Sequence, residues 1–198
     1  GIMWIGMIGG GVNMANTRKA KFNLDRLSEA KRILKSNSVR SILLDDEGQL
    51  WMGISTYGFG VEDRRTGKFT HHGQMPDFSS YRGISTVMSI MQSPSTGHIW
   101  IGVYNGGAYE IDQSAPVGKR VKAHNSSNAP WMCNSCIYYI CEDSKQNLWF
   151  ATKSGISMRA ADGTSVRFDS LKVGDVAVRD MVVMQLVEGR DGEMWLAS

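Results

Sequence analysis

The sequence predicts an all-β fold built from repeated four-stranded antiparallel sheets, and three features predict it. A tryptophan returns in one short apolar context at Trp4, Trp51, Trp100, Trp149 and Trp195, at intervals of 47, 49, 49 and 46 residues. The segments that lead into it, such as VRSILLDDEGQLW and IYYICEDSKQNLW, are short β-type runs without the three-and-four spacing of a helix. Small or turn-forming residues stand at fixed offsets around each tryptophan. Self-similarity at a fixed period of about 20–50 residues marks units that bury an apolar face only against a neighbour.

The elements follow in order within each unit. A first strand opens at Val39, Val87, Ile137 and Val183. Three positions before the tryptophan stand Gly48, Gly97, Gln146 and Gly192, where a tight hairpin needs positive φ. The second strand carries the tryptophan, and two residues later come Gly6, Gly53, Gly102, Ala151 and Ala197. A side chain missing from the same strand position in every unit fits close packing of one sheet on the next. A third strand begins at a glycine in GGVNM (10–14), GFGVE (58–62), GAYEID (107–112) and GISMR (155–159). The fourth centres on a basic residue and an apolar one: Lys21-Phe22, Lys68-Phe69, Arg120-Val121 and Arg167-Phe168. Four strands per unit at this period describe β-propeller blades. The chain reads as one segment, 1–198, with approximate repeats 1–38, 39–86, 87–136, 137–182 and 183–198, the first and last partial.

The pattern V-x-S-I-x-x-D-x-x-G-x-L-W-x-G-x-S/T-x-x-G, clearest from Val39 to Gly58, resembles the two-component regulator propeller repeat. The unit around Trp149 departs from it with Gln146 and Ala151 in place of glycine, and the unit around Trp100 has one extra residue in its first hairpin. The resemblance implies a non-enzymatic extracytoplasmic, periplasmic-side sensor region of a bacterial hybrid two-component system. It also implies detection of a glycan breakdown product and a signal passed through a membrane helix to a histidine kinase elsewhere in the full-length protein.

The chain starts three residues before Trp4 and ends three after Trp195, so both ends are expected to fall inside a second strand of a partial propeller. A homodimer completing a ring of about eight blades is one expectation, and closure by the final first-type strand is the other. The segment NLDRLSEAKRILKSNS, 23–38, carries apolar residues at helical spacing and predicts a short helix with Asn23 as N-cap.

A formal net charge of +3 is too small for the positive field that phosphate backbones require, which argues against a nucleic-acid partner. No apolar run is long enough to cross a bilayer, so contact with a membrane is expected only through flanking segments. Cys133 and Cys136 form a C-x-x-C and Cys141 follows; without a second such pair or a following helix they read first as structural thiols, then as a disulfide, and last as a metal site. His71 and His72 are adjacent on an expected strand, which would aim them at opposite faces and at solvent. GMIGGG, 6–11, lacks the Lys-Ser/Thr of a phosphate loop. No cofactor, no metal and no catalytic residues are expected.

Ligand sites of propellers gather where the loops between second and third strands meet those leading from fourth to first. Those loops contain Tyr57; Tyr81 and Arg82; Tyr104 and Asn105; Trp131 and Asn134; and Arg179 with Asp180. Aromatic faces beside amide, guanidinium and carboxylate groups suit a small carbohydrate, although such rings also serve to plug a channel. Two other classes compete. A lyase resembling the streptogramin B lyases would need His and Glu residues converging with a divalent metal, and the positions of His98 and His124 suggest no such set. A protein-interaction scaffold would take a partner chain instead.

Overall fold

A computed structural model describes residues 2–7, 11–16, 21–25, 38–81 and 83–198. They fall into two compact units, Gly1–Ile90 and Met91–Ser198, each described by itself. In the first, β1 (Ile2–Met7), β2 (Gly11–Asn16) and β3 (Lys21–Asp25) form an antiparallel sheet in sequence order. β4 (Val39–Leu44), β5 (Gln49–Ile54), β6 (Gly58–Asp63) and β7 (Phe69–His71) form a four-stranded one. β8 (Val87–Gln92), within which the division falls, begins a sheet continued by β9 (Ile99–Val103), β10 (Gly107–Ile111) and β11 (Val121–His124). The second unit adds the sheet β12 (Ile137–Glu142), β13 (Leu148–Thr152), β14 (Ile156–Arg159) and β15 (Ser165–Arg167). Two hairpins follow: β16 (Lys172–Val173) with β17 (Val176–Ala177), and β18 (Gln185–Glu188) with β19 (Met194–Ala197). This is an all-β chain of propeller blades.

In two blades a single aspartate builds the first hairpin. Asp45 accepts the Gln49 N–H at 2.8 Å and the Trp51 indole N–H at 2.8 Å. Asp143 repeats this with Asn147 N–H at 2.8 Å and the Trp149 indole at 2.7 Å. Positive φ falls where the sequence requires it, 78° at Gly48, 74° at Gly97 and 82° at Gly192; Gln146, which stands in the same slot, adopts 65°. An aspartate that fixes both the turn and the tryptophan explains how that slot tolerates a side chain.

Three of the small residues after the tryptophans, Gly53, Gly102 and Ala151, sit under a following strand. A Cβ built on Gly53 would meet Ser41 Oγ of its own sheet first and approach Val87 Cγ1 to 2.7 Å, and one on Gly102 would approach Ile137 Cγ2 to 2.8 Å. Ala151 lies fully buried in a cluster with Val183 and Leu186. Trp100 is buried against Phe150 of the following sheet, ring centroids 5.5 Å apart, in a core shared with Ile137 and Ile140. In the first unit Trp4 and Tyr57 pack on a cluster of Val39, Leu50, Met52, Ile54 and Phe69.

Two sequence expectations are corrected. Asn23 does not cap a helix: it pairs with Met14 inside β3, and Leu24 with Asn13, so the ladder takes this backbone. The remaining part of that expected helix, 26–37, lies outside the described residues. His71 and His72 do not face opposite ways, because β7 ends at His71 and the chain turns into a 3-10 helix, His72–Gln74. Their rings lie 4.2 Å apart, and His72 is buried between Phe59 and Phe78 rather than exposed.

Candidate functional site

A recurring backbone bond assembles the loop face. The glycine that opens each third strand donates its N–H to a carbonyl shortly before the next first strand: Gly58 to Ser85 at 2.5 Å, Gly107 to Ser135 at 2.7 Å, and Gly155 to Met181 at 3.3 Å. These glycines hold φ of 75°, 79° and 93°. In the turns ahead of the first two, Thr56 and Asn105 also adopt left-handed φ, 66° and 59°. Thr56 is β-branched, so its strained turn is held from outside, by a bond from its N–H to Thr86 Oγ1 at 3.1 Å.

In the first unit Tyr57 lies partly on the core, and its carbonyl accepts from His71 Nε2 at 2.7 Å. Tyr81 ends an aromatic row, 6.1 Å from Phe78, which stands edge-on to Phe59 at 5.0 Å. Arg82 lies outside the described residues. In the second unit Tyr104 is 36% exposed and meets the Tyr138 ring at 6.1 Å and 80°. Arg179 and Asp180 lie in a 3-10 turn, paired at 4.0 Å with both side chains in solvent. Asn134 spends its carbonyl oxygen on the Cys136 N–H at 2.8 Å. Trp131 packs on the core, 5.2 Å from Phe150 and 5.8 Å from His124. Tyr104, Asn105, Arg179 and Asp180 therefore offer free surface, whereas Trp131 and Asn134 have structural work to do.

The three cysteines are free thiols. Burial, then the nearby Asp143 and Glu188 carboxylates, push the Cys141 thiol up to about 12, so it stays protonated.

One polar cluster went unforeseen. Glu110, on β10, accepts from His98 Nδ1 at 3.0 Å on one oxygen and from His124 Nε2 at 3.1 Å on the other, with Arg159 Nη1 3.5 Å away. Burial would raise this carboxyl, but the hydrogen bonds from His124 and His98 and the Arg159 charge hold it down at about 2. His98 and His124 thus converge on Glu110 through hydrogen bonds. Strand register contains the signal: Glu110 pairs with Trp100 and with Lys122, which places His98 and His124 two residues along on the same face. The cluster borders a cavity of about 210 Å³ that Ser93, Trp100, Gln146, Leu148 and Arg159 also line. Among the described residues no group of three or more His, Cys, Asp or Glu is arranged to hold a metal ion.

Comparison with known proteins agrees with this architecture. The two-component regulator propeller profile matches residues 33–56 and 132–154, so two stretches of the chain are similar to that repeat. A search of curated proteins finds no significant match. Among solved structures, the extracellular domains of two hybrid two-component systems from B. thetaiotaomicron superpose with TM-scores of 0.71 and 0.71, at 20% and 19% identity. They cover 100% and 98% of this chain, which spans only 24% of the length of each. Virginiamycin B lyase from Staphylococcus aureus is similar at TM-score 0.63 and 14% identity, over 99% of this chain and 67% of that one. At such identities the likeness is one of fold. Among the described residues no helix is long and apolar enough to cross a membrane.

Proposed function

We propose that this chain is the ligand-sensing propeller region of a hybrid two-component sensor, that it acts outside the cytoplasm, and that it binds a small carbohydrate without transforming it. The two stretches similar to the two-component regulator propeller repeat carry this reading. The loop face supports it with exposed Tyr104 and Asn105 in one turn and the Arg179–Asp180 pair in another. Tyr57, Tyr81 and Arg82 are the candidates from the other unit, and half-buried Trp131 and Asn134 are further candidates of this one. Sensing needs no cofactor: the sugar shifts the sensor by binding one arrangement of its propellers more tightly than another. A second copy completing the ring would supply that second arrangement. Calorimetry of the purified chain against neutral and acidic oligosaccharides tests the proposal. Saturable binding supports it; no binding by any sugar, together with stoichiometric capture of one partner protein, replaces it with the scaffold reading.

A second reading draws on the convergence of His98 and His124 on Glu110. If that set served a lyase, the chain would open a cyclic depsipeptide such as quinupristin in a chelator-sensitive way. Absence of turnover returns the cluster to a structural role.

A further inference from the structure

Two first strands contain the same irregularity. β12 pairs with β13 as Ile137↔Thr152 and resumes as Tyr139↔Ala151, which leaves Tyr138 as the extra residue of a bulge. β4 pairs with β5 as Val39↔Ile54 and resumes as Ser41↔Gly53, which leaves Arg40 in the same place. Both are edge strands of their sheets. Bulges at edges re-aim a side chain, and they are enriched beside functional sites.

The residues on either side of this position differ sharply in what constrains them. The residue before it, Val39, Val87, Ile137 or Val183, is buried in every repeat. Val87 and Ile137 owe this to the glycine they cover, Gly53 and Gly102. The position itself holds Arg40, Met88, Tyr138 and Met184, a cation, two thioethers and a phenol; none of the four is buried. The fold fixes the backbone there and leaves the chemistry open, which is what a position that selects a ligand requires.

Tyr138 is the one whose neighbour completes a surface. Tyr104 follows β9 directly, and the Gly107–Ser135 bond at 2.7 Å ties its turn to the residues leading into β12. The positions that match this pair elsewhere hold Ser55 with Met88 and Lys153 with Met184, so only one step carries two rings. At 80° the rings form a corner. A pyranose laid on one face would meet the edge of the other, with two phenol hydroxyls to exchange hydrogen bonds with its own.

We propose that the Tyr104–Tyr138 corner is the sugar-docking step of the second unit's loops, and that the bulged residue of β12, Tyr138, determines which ligand is accepted there. This rests on the carbohydrate reading given above. The test is 19F NMR of the whole chain labelled with 3-fluorotyrosine, its six tyrosines assigned by single Tyr→Phe variants. It is titrated in turn with maltotriose, cellotriose and xylotriose. The expected result is a saturable shift of the Tyr104 and Tyr138 signals by at least one sugar, with Tyr109 and Tyr139 unmoved. Tyr138→Ala should then weaken that sugar by roughly 2–10-fold, and Tyr138→Phe by less, with thermal melting unchanged in the Phe variant. Shifts confined to Tyr57 or Tyr81, with full affinity in Tyr138→Ala, overturn the docking step and leave carbohydrate sensing standing. No shift by any of the sugars counts against carbohydrate sensing itself and removes this inference with it.

Discussion

The indole N–H of Trp149 donates to Asp143 Oδ2 at 2.7 Å, and the same carboxylate holds the hairpin by accepting from the Lys145 and Asn147 amides at 3.0 and 2.8 Å. One side chain thus sets both the turn and the orientation of the residue that marks the repeat. Asp143→Ala should cost about 1–3 kcal/mol, because it strips a charged acceptor from four donors at once, the Asn147 side-chain amide included. Asp143→Asn, which keeps one acceptor oxygen, should cost less. Burial works to raise the Asp143 carboxyl, but the bonds from Trp149, Asn147 and Lys145 outweigh it and keep it below its ordinary 3.8. A lowered carboxylate contributes stability above pH 3.8 that is lost as pH falls through the folded value. Urea melts followed by tryptophan fluorescence, from pH 7 down to 3, should show the Asp143→Ala difference shrinking at the acid end.

Glu110 should dominate the acid behaviour of the second unit. Its carboxyl ordinarily titrates at 4.5 and is held at about 2 in the fold. The contribution is in place above pH 4.5 and disappears as pH falls from there toward 2. The expected outcome is that Glu110→Gln lowers the melting temperature at pH 7, since His98, His124 and Arg159 lose their shared anion, and flattens the wild-type decline between pH 4.5 and 2. Parallel curves for the two proteins would mean that the cluster does not govern this window.

The strands were legible because packing repeats: at Gly53, Gly102 and Ala151 the small residue after a tryptophan announces the neighbour that covers it, as Gly102 announces Ile137. The contents of the loop face were less so. Trp131 stood out in the sequence as the one tryptophan off the repeat, yet its ring helps cover Phe150 and His124. Residue type alone does not separate a plug from a platform. Tyr138 escaped notice because a bulge changes which way a side chain points without changing the alternation of neighbouring residues. Glu110, His98 and His124 escaped because they lie on two strands and in the turn before a third, and only the register of β9, β10 and β11 puts them on one face. His72 was misplaced for a local reason: the strand stops one residue sooner than its β-type sequence suggests.

His72 gives the first unit a pH response at milder acidity. Burial, then the neighbouring His71, lower it from 6.5 to about 4, against a weaker opposing bond to the Phe59 carbonyl. The unfolded chain therefore binds a proton below pH 6.5 that the folded chain refuses until about pH 4, so stability falls as pH drops across that interval. His72→Phe keeps an aromatic ring between Phe59 and Phe78 and has nothing to protonate. It should remove the slope between pH 6.5 and 4, read as melting temperature against pH, while the decline below pH 4.5 that belongs to Glu110 remains.

The closest test of the packing rule is a compensated pair. Gly102→Ala places a methyl 2.8 Å from Ile137 Cγ2 and 3.4 Å from Ile140 Cδ1, in a core where both isoleucines are buried. Neither has an open side to move toward, so the substitution should cost about 1–3 kcal/mol. Ile137→Ala takes away the Cγ2 methyl that the new methyl meets, and on its own should cost about 2–5 kcal/mol. If the two residues press directly on each other, the double variant should be more stable than the sum of the single costs allows, with a coupling of about 0.5–1 kcal/mol in a double-mutant cycle. Strict additivity would mean that the glycine is required by its strand rather than by its neighbour. Ala151 already carries the methyl that Gly102→Ala introduces and is fully buried beside Val183 and Leu186, so Ala151→Gly should destabilise through a lost contact instead of relieving a crowded one.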